Sequence, residues 1–363
     1  MSFREEPSYR HGQAARTGVL LVNLGSPSEP TAKATRRYLA QFLSDPRVVE
    51  IPRYVWQFIL HGIILRVRPA NAAAKYATIW TPEGSPLVAG TARLSKLLLG
   101  SLGEAGMPIL VRHAMRYGEP SVDAEMYALR AEGSTRVLVI PLYPQYAAAT
   151  TASVIDAVAQ WAQKARYVPE LRFVNRYHDN RFYIRALAED VRKHWAREGR
   201  GKMLVMSFHG VPQRSLTLGD PYHCECYKTA RLLAQELSLA DSEFRVTFQS
   251  RFGRAKWLEP YTEPTLVALA QSGTERVDVI CPGFAVDCLE TLEEIAQEAR
   301  DAFVEAGGRD FHYIPCLNDS PAHVRALVDV VQQHIQGWPA PPAQASAELQ
   351  LSRERALAVG APD

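Results

Sequence analysis

The sequence is short of several things, and each shortage excludes something. Only five cysteines occur in 363 residues, too few and too odd a number for a disulfide framework, which suits a reducing compartment. Neither sign of charge dominates. Lys and Arg number 41 against 39 Asp and Glu, a formal net charge of +2, so no nucleic-acid partner is expected on electrostatic grounds. No apolar run reaches the ~18 residues of a membrane span. The opening stretch "MSFREEPSYRHGQAARTG" is polar and mixed in charge, unlike a secretory signal, so the expected address is cytoplasmic. Walker-type, dinucleotide-type and serine-elbow glycine motifs are missing, which removes support for phosphate-cofactor and serine-hydrolase chemistry. Cys224-Glu225-Cys226 has no second cysteine pair, which argues against a structural zinc site.

What is present is a run of short, β-branched apolar segments separated by stretches of helical period. They fall at 18–25, 108–118, 136–144, 171–177, 202–210, 244–253, 276–284 and 311–317. Strands apolar on both faces and separated by helices read as parallel sheet covered on each side, an α/β architecture. The pattern also repeats. "GSTRVLVIPLYP" from Gly133 resembles "GTERVDVICPGF" from Gly273, "AMRYG" pairs with "QSRFG", and "NLGSP" pairs with "FHGVP". Three matches in one order predict duplication of a doubly wound unit. The expected organisation is a flexible N-terminus at 1–16, one Rossmann-like domain at 17–167, a second at 168–337, and an Ala/Pro-rich tail at 338–363. Superposing the halves sets Leu24 opposite His209 and Thr150 opposite Glu290. Ligands of open parallel sheets bind beyond the strand exits, so a cleft between the two domains is the expected site.

Four groups of residues have the chemistry for such a cleft. His209 ends the strand "KMLVMSFHG" and can accept a proton or ligate a metal near neutral pH; a lone histidine there also fits a purely structural role. In "CPGFAVDCLETLEEIAQEA", Asp287 is placed to cap a helix starting near Cys288. Glu290, Glu294 and Glu298 then recur at i, i+4 and i+8 on one face. Like charges so spaced repel, and either a solvated acidic face or a path for cations and protons accounts for them. Arg116 and Tyr117 follow a strand, and Trp257, Tyr143 and Tyr146 offer aromatic walls for a planar ligand or simply core. The stretch 51–69, "IPRYVWQFILHGIILRVRP", is apolar nearly all round with Arg53, Arg66 and Arg68 at its ends. It belongs either in the core or at a membrane surface or pocket mouth.

Taken together, "GVLLVNLGSP", "IWTPEGSPL", "MRYGEP", "PLYPQYA", "SFHGVP", "GDPY", "TFQSRFG", "WLEPYT" and "CPGFAVDCLETLEE" resemble the ferrochelatases, from Thr17 to about Ala322. The resemblance implies two Rossmann-like domains and insertion of Fe(2+), as substrate, into protoporphyrin IX. It makes His209 and Glu290 the catalytic and metal-facing pair, with Glu294 and Glu298 as the path behind them. Leu24, Tyr76, Ser85, Arg116, Tyr117 and Trp257 become porphyrin-pocket residues, with Arg66 or Arg68 on the propionates. Residues 51–69 become a hydrophobic lip with peripheral membrane contact. Two departures stand out. Cys288 occupies a place where many relatives carry histidine, and no cysteine follows Cys316, so no [2Fe-2S] cluster and no permanently bound cofactor is expected. A coproporphyrin ferrochelatase, a cobalt chelatase of sirohydrochlorin and a non-catalytic tetrapyrrole binder are the competing expectations. His178, in "RYHDN", is read as a surface histidine.

Overall fold

All eight apolar runs are strands in the computed structural model, which describes residues 3–7, 11–253, 255–338 and 346–362. The first sheet holds β1 (Arg16–Asn23), β2 (Ile109–Met115), β3 (Ser134–Pro141) and β4 (Glu170–Phe173) in the order β2-β1-β3-β4. The second holds β5 (Met203–His209), β6 (Phe244–Gln249), β7 (Arg276–Ile280) and β8 (Asp310–Ile314) in the matching order β6-β5-β7-β8. Every pairing is parallel. The expected α/β fold of two similar doubly wound halves is therefore present.

The period of two explains why the strands read as unbroken apolar runs. Along β1, Val19 and Leu21 face a central core while Leu20 and Val22 face an outer one. Along β5, Leu204, Met206 and Phe208 join the same central core while Met203 and Val205 join an outer core of the second lobe. Alternate side chains point to opposite faces, and here both faces are covered. The shared central core welds the lobes together. Helix Pro86–Glu104 lines it from the first lobe through Leu94, Leu98 and Leu102, and helix Pro321–His334 from the second through Leu327 and Val331.

Three expectations need correction. The boundary at 167/168 cuts the first sheet one strand early, because β4 hydrogen-bonds to β3 and not to the second sheet. Within the expected flexible N-terminus, the Arg4 amide donates to Lys164 O at 2.8 Å and Glu6 accepts from the Arg166 amide at 2.6 Å, while Arg16 already opens β1. Residues 1, 2 and 8–10 lie outside the described residues, as do 339–345 and 363 of the tail. Trp338 is buried, donates to Glu170 at 2.5 Å and lies under Arg172, so the fold runs to that residue. A helix at Ser346–Ala358 then follows.

The exit of β1 depends on one glycine. Gly25 has φ +108°, and a Cβ there would lie 1.8 Å from the Tyr117 carbonyl oxygen. That close approach lets the Tyr117 amide donate to Leu24 O at 2.9 Å and the Arg116 amide to Asn23 O at 2.7 Å. Gly25→Ala should therefore cost about 3 kcal/mol or more, since the clash is with backbone and the dihedral is unfavourable for any L side chain. Urea unfolding of the variant beside the parent measures it.

Candidate functional site

The strands of each sheet are parallel and so end at the same edge, and several of the expected side chains lie at those strand exits. His209 is the last residue of β5 and is half-buried. Its Nδ1 lies 2.6 Å from the Gly210 carbonyl oxygen. A carbonyl only accepts, so this contact assigns the proton to Nδ1 and leaves Nε2 as the basic nitrogen. Gly210 is needed there because a Cβ would sit 2.7 Å from Gln249 O and 3.0 Å from the Trp257 ring. The Trp257 and Phe284 rings lie 6.5 and 6.4 Å from the imidazole, centre to centre.

The acidic row sits on a wider helix than expected. Glu290–Ala299 is π-helical, followed by an α-helical turn at Arg300–Glu305. Asp287 does not cap it through backbone amides. Its carboxylate instead accepts from Thr291 Oγ1, Tyr313 OH and Asn318 Nδ2. Glu294 is held from the exit of β6. The Ser250 amide and hydroxyl donate to its two oxygens at 2.6 and 2.5 Å, with Ser250 itself at φ +64°. A non-glycine residue in that region is a local cost concentrated where geometry matters. Gln249 donates to the Glu290 carbonyl at 2.7 Å and accepts from Ser207 Oγ at 2.7 Å, linking the π-helix to β5 two residues before His209. Burial raises the Glu294 carboxyl above its ordinary range, opposed by Ser250 and His209 and supported by Glu290.

Glu290 faces the first lobe. Burial pushes the phenols of Tyr38, Tyr76 and Tyr143 far above their usual range, and the Glu290 charge adds to the shift at all three. Cys288 is buried beside it, its thiol pushed up by burial and by Glu290. Glu298 is exposed and pairs with Lys75 at 2.7 Å, so the outer end of the row is not free. Lys75 also holds the buried Glu293 at 3.0 Å. Neither Lys75 nor the pairing role of Glu293 was expected from sequence. Among the described residues no three His, Cys, Asp or Glu side chains are arranged to hold a metal ion.

The expected pocket residues divide. Leu24 packs on the central core at the β1 exit. Tyr76, Ser85, Tyr117 and Trp257 are all buried. Arg116 is committed elsewhere. It donates to Asp45 at 2.6 Å and to the Ser153 hydroxyl and carbonyl at 2.7 and 2.9 Å, and stacks on Tyr117. Tyr117 and Ser153 donate to the same Asp45 oxygen. That network fastens the segment following α1 (Ala32–Leu43) onto the sheet, beside a cavity of about 310 Å³ that Arg53, Trp56 and Arg116 help to line. His178 is buried rather than at the surface, and burial lowers its pKa to about 4.

Residues 51–69 are not core. They form α2 (Arg53–Ile59), a π-turn at Leu60–Ile64 and the start of α3 (Leu65–Ile79). Tyr54 and Phe58 are 81% and 78% exposed, and Ile51, Val55, Ile63 and Val67 are exposed with them. Inward, Leu60 and Leu65 are buried and Trp56 donates to Leu43 O at 2.5 Å. Arg66 is exposed, and Arg68 lies 5.8 Å above the Phe252 ring of the second lobe. No helix among the described residues is long and apolar enough to cross a membrane.

The ferrochelatase family model matches residues 16–335. The chain belongs to the ferrochelatase family. A ferrochelatase of Methylibium petroleiphilum is 64% identical over 361 residues, covering 99% of both chains. One from a Polaromonas species is 60% identical over 366 residues, covering 100% of each. Among solved structures, SirB from Bacillus subtilis with Fe3+ aligns with a TM-score of 0.50 at 12% identity, covering 92% of this chain and 98% of that one. The sirohydrochlorin chelatase SirB of subspecies spizizenii, in complex with cobalt, gives 0.51 at 12% identity over 88% and 95%. These structural likenesses bear on the fold, which is the chelatase fold.

The Asp45 network yields a test of this ferrochelatase's architecture. Burial alone would raise the Asp45 carboxyl, but bonds from Ser153, the Arg47 amide, Tyr117 and Arg116 hold it below its ordinary 3.8. A depressed carboxyl stabilises the fold above its unfolded pKa, and that stability is lost as pH falls through the folded value. Asp45→Asn should cost about 2–4 kcal/mol at pH 7. The gap to the parent should shrink below about pH 4, as read from urea midpoints at pH 7 and 3.5.

Proposed function

We propose that this ferrochelatase inserts Fe(II) into protoporphyrin IX at the end of haem synthesis, with His209 and Glu290 at the macrocycle centre. The reaction breaks two pyrrole N–H bonds, forms four Fe–N bonds and changes no oxidation state. His209 Nε2 takes one proton, because Nδ1 is already occupied as a donor to Gly210. Glu290 takes the other after handing over the metal. Glu294, its carboxyl raised by burial, exchanges that proton and passes it outward along the acidic face to Glu298, the face along which the metal also enters. Carboxylate oxygens and an imidazole nitrogen can take the places of water on Fe(II), a borderline cation, as it sheds that water one ligand at a time. Leu24 and the buried phenols of the first lobe supply the opposite, uncharged wall. A planar ring must be bent to present its nitrogens, at a cost of ~1–5 kcal/mol drawn from contacts elsewhere on the ligand.

The observation that carries this reading is that the Glu294 carboxyl feels both His209 and Glu290 while Ser250 holds it in place. The apolar ridge from Ile51 to Val67 is the proposed lip, resting on a membrane surface from which a poorly soluble porphyrin arrives. Arg66 and Arg68 lie beside it to hold propionates. Its greasy character favours protoporphyrin over the more carboxylated coproporphyrin.

His209→Ala should lower kcat for Fe(II) or Zn(II) insertion by about 100-fold or more in a folded protein; near-parental turnover excludes its central role. Glu294→Gln should raise the metal KM more than the porphyrin KM, measured by loss of porphyrin fluorescence under anaerobic conditions. The reverse order would contradict the path. Faster turnover of coproporphyrin than of protoporphyrin would reassign the substrate.

A further inference from the structure

The lip and the acidic row are joined through one side chain. Lys75, on α3 of the first lobe, places its ammonium 3.0 Å from Glu293 Oε1 and 2.7 Å from Glu298 Oε1 on the π-helix of the second. Glu293 is buried and Glu298 exposed, so the ammonium stands at the boundary between solvent and the row. Contacts from the same helix continue inward. Tyr76, the next residue, lies within the field of Glu290. Arg68, two turns earlier, stacks on Phe252, two residues beyond the Ser250 that binds Glu294. Gln297 reaches Thr78 at 3.5 Å. Burial raises the Glu293 carboxyl, and the Lys75 ammonium opposes that shift.

We propose that Lys75 is a positioning residue that governs metal uptake, competing with the incoming divalent cation for the Glu298 and Glu293 carboxylates. It touches neither porphyrin nor reacting nitrogens and acts through those two side chains. The inference rests on the acidic path argued above and adds the element that controls its outer end. The physical basis is a difference in grip. A half-exposed monovalent ammonium holds its carboxylates weakly in water, whereas a divalent cation carries twice the charge and binds carboxylate oxygens directly. The pair therefore keeps the carboxylates ionised and in place at rest, yet yields to the substrate ion.

The test is steady-state insertion of Zn(II), and of Fe(II) under anaerobic conditions, with protoporphyrin by the full-length enzyme carrying Lys75→Met or Lys75→Arg. Lys75→Met should lower the metal KM by about three- to fivefold with kcat and porphyrin KM nearly unchanged. Lys75→Arg keeps the charge and grips a carboxylate with a two-pronged fork, so its metal KM should equal or exceed the parental value. In a Glu298→Gln background the effect of Lys75→Met should shrink. An unchanged or raised metal KM in Lys75→Met overturns the proposal, as does a lowered metal KM in Lys75→Arg. If Lys75→Met does not fold, the Lys75→Arg measurement decides alone. Glu294→Gln separates the two levels. If it raises the metal KM while Lys75→Met leaves it alone, only the role of Lys75 falls; if Glu294→Gln has no such effect, the path itself falls.

Discussion

The paired hydrogen bonds from Ser250 to Glu294 are the constraint on which the rest of the site depends. They tie the exit of β6 to the π-helix after β7, two segments that share no local sequence. Gln249, the residue before, binds the Glu290 carbonyl and takes the Ser207 hydroxyl, so β5, β6 and the π-helix are joined by one short chain of polar contacts. A flexible glutamate on a surface helix would lose any fixed relation to a histidine on another crossover. Here the cost of a left-handed serine is met by two charge-assisted bonds, which are the strong kind. Position, more than acidity, is what this arrangement supplies.

Duplication gives the two lobes equivalent positions that carry different side chains. The two sheets share a strand order, and each lobe carries a π-helical segment at the corresponding place, Ala148–Ala152 and Glu290–Ala299. The amide of Met115 donates to Pro120 O in the first lobe as that of Phe248 donates to Pro260 O in the second. On this common frame the first lobe presents Leu24 and Thr150 where the second presents His209 and Glu290. The two lobes have thus diverged at a few strand exits while keeping one frame.

The short β-branched apolar runs made all eight strands legible, and the α/β architecture with them. His209 was legible as a strand exit because Gly210 and Pro212 follow it. What sequence could not carry was partnership at a distance. The four residues of β4 look the same whether they close one sheet or open the next, and only hydrogen bonding to β3 decides. The π-helix keeps glutamates four apart on neighbouring turns, much as an α-helix does, so the spacing does not distinguish them. Arg116 was visible as an arginine at a strand exit, but its commitment to Asp45 spans 71 residues. The pairing of Lys75 with Glu293 spans 218. The stretch 51–69 was ambiguous for another reason, since an all-round apolar helix has no face from which to tell core from surface.

That last ambiguity has a physical resolution in how the apolar ridge is anchored. Trp56, Leu60 and Leu65 give it a small core of its own with Leu43, and the Asp45 network fixes the chain just ahead of it. Tyr54, Phe58, Ile63 and Val67 stay outside. An apolar ridge held this firmly loses little further chain entropy when something covers it. The same helical segment continues into α3 and reaches the acidic row of the other lobe. The apolar ridge and the acidic row are in this way mechanically adjacent, separated by about two turns of one helix.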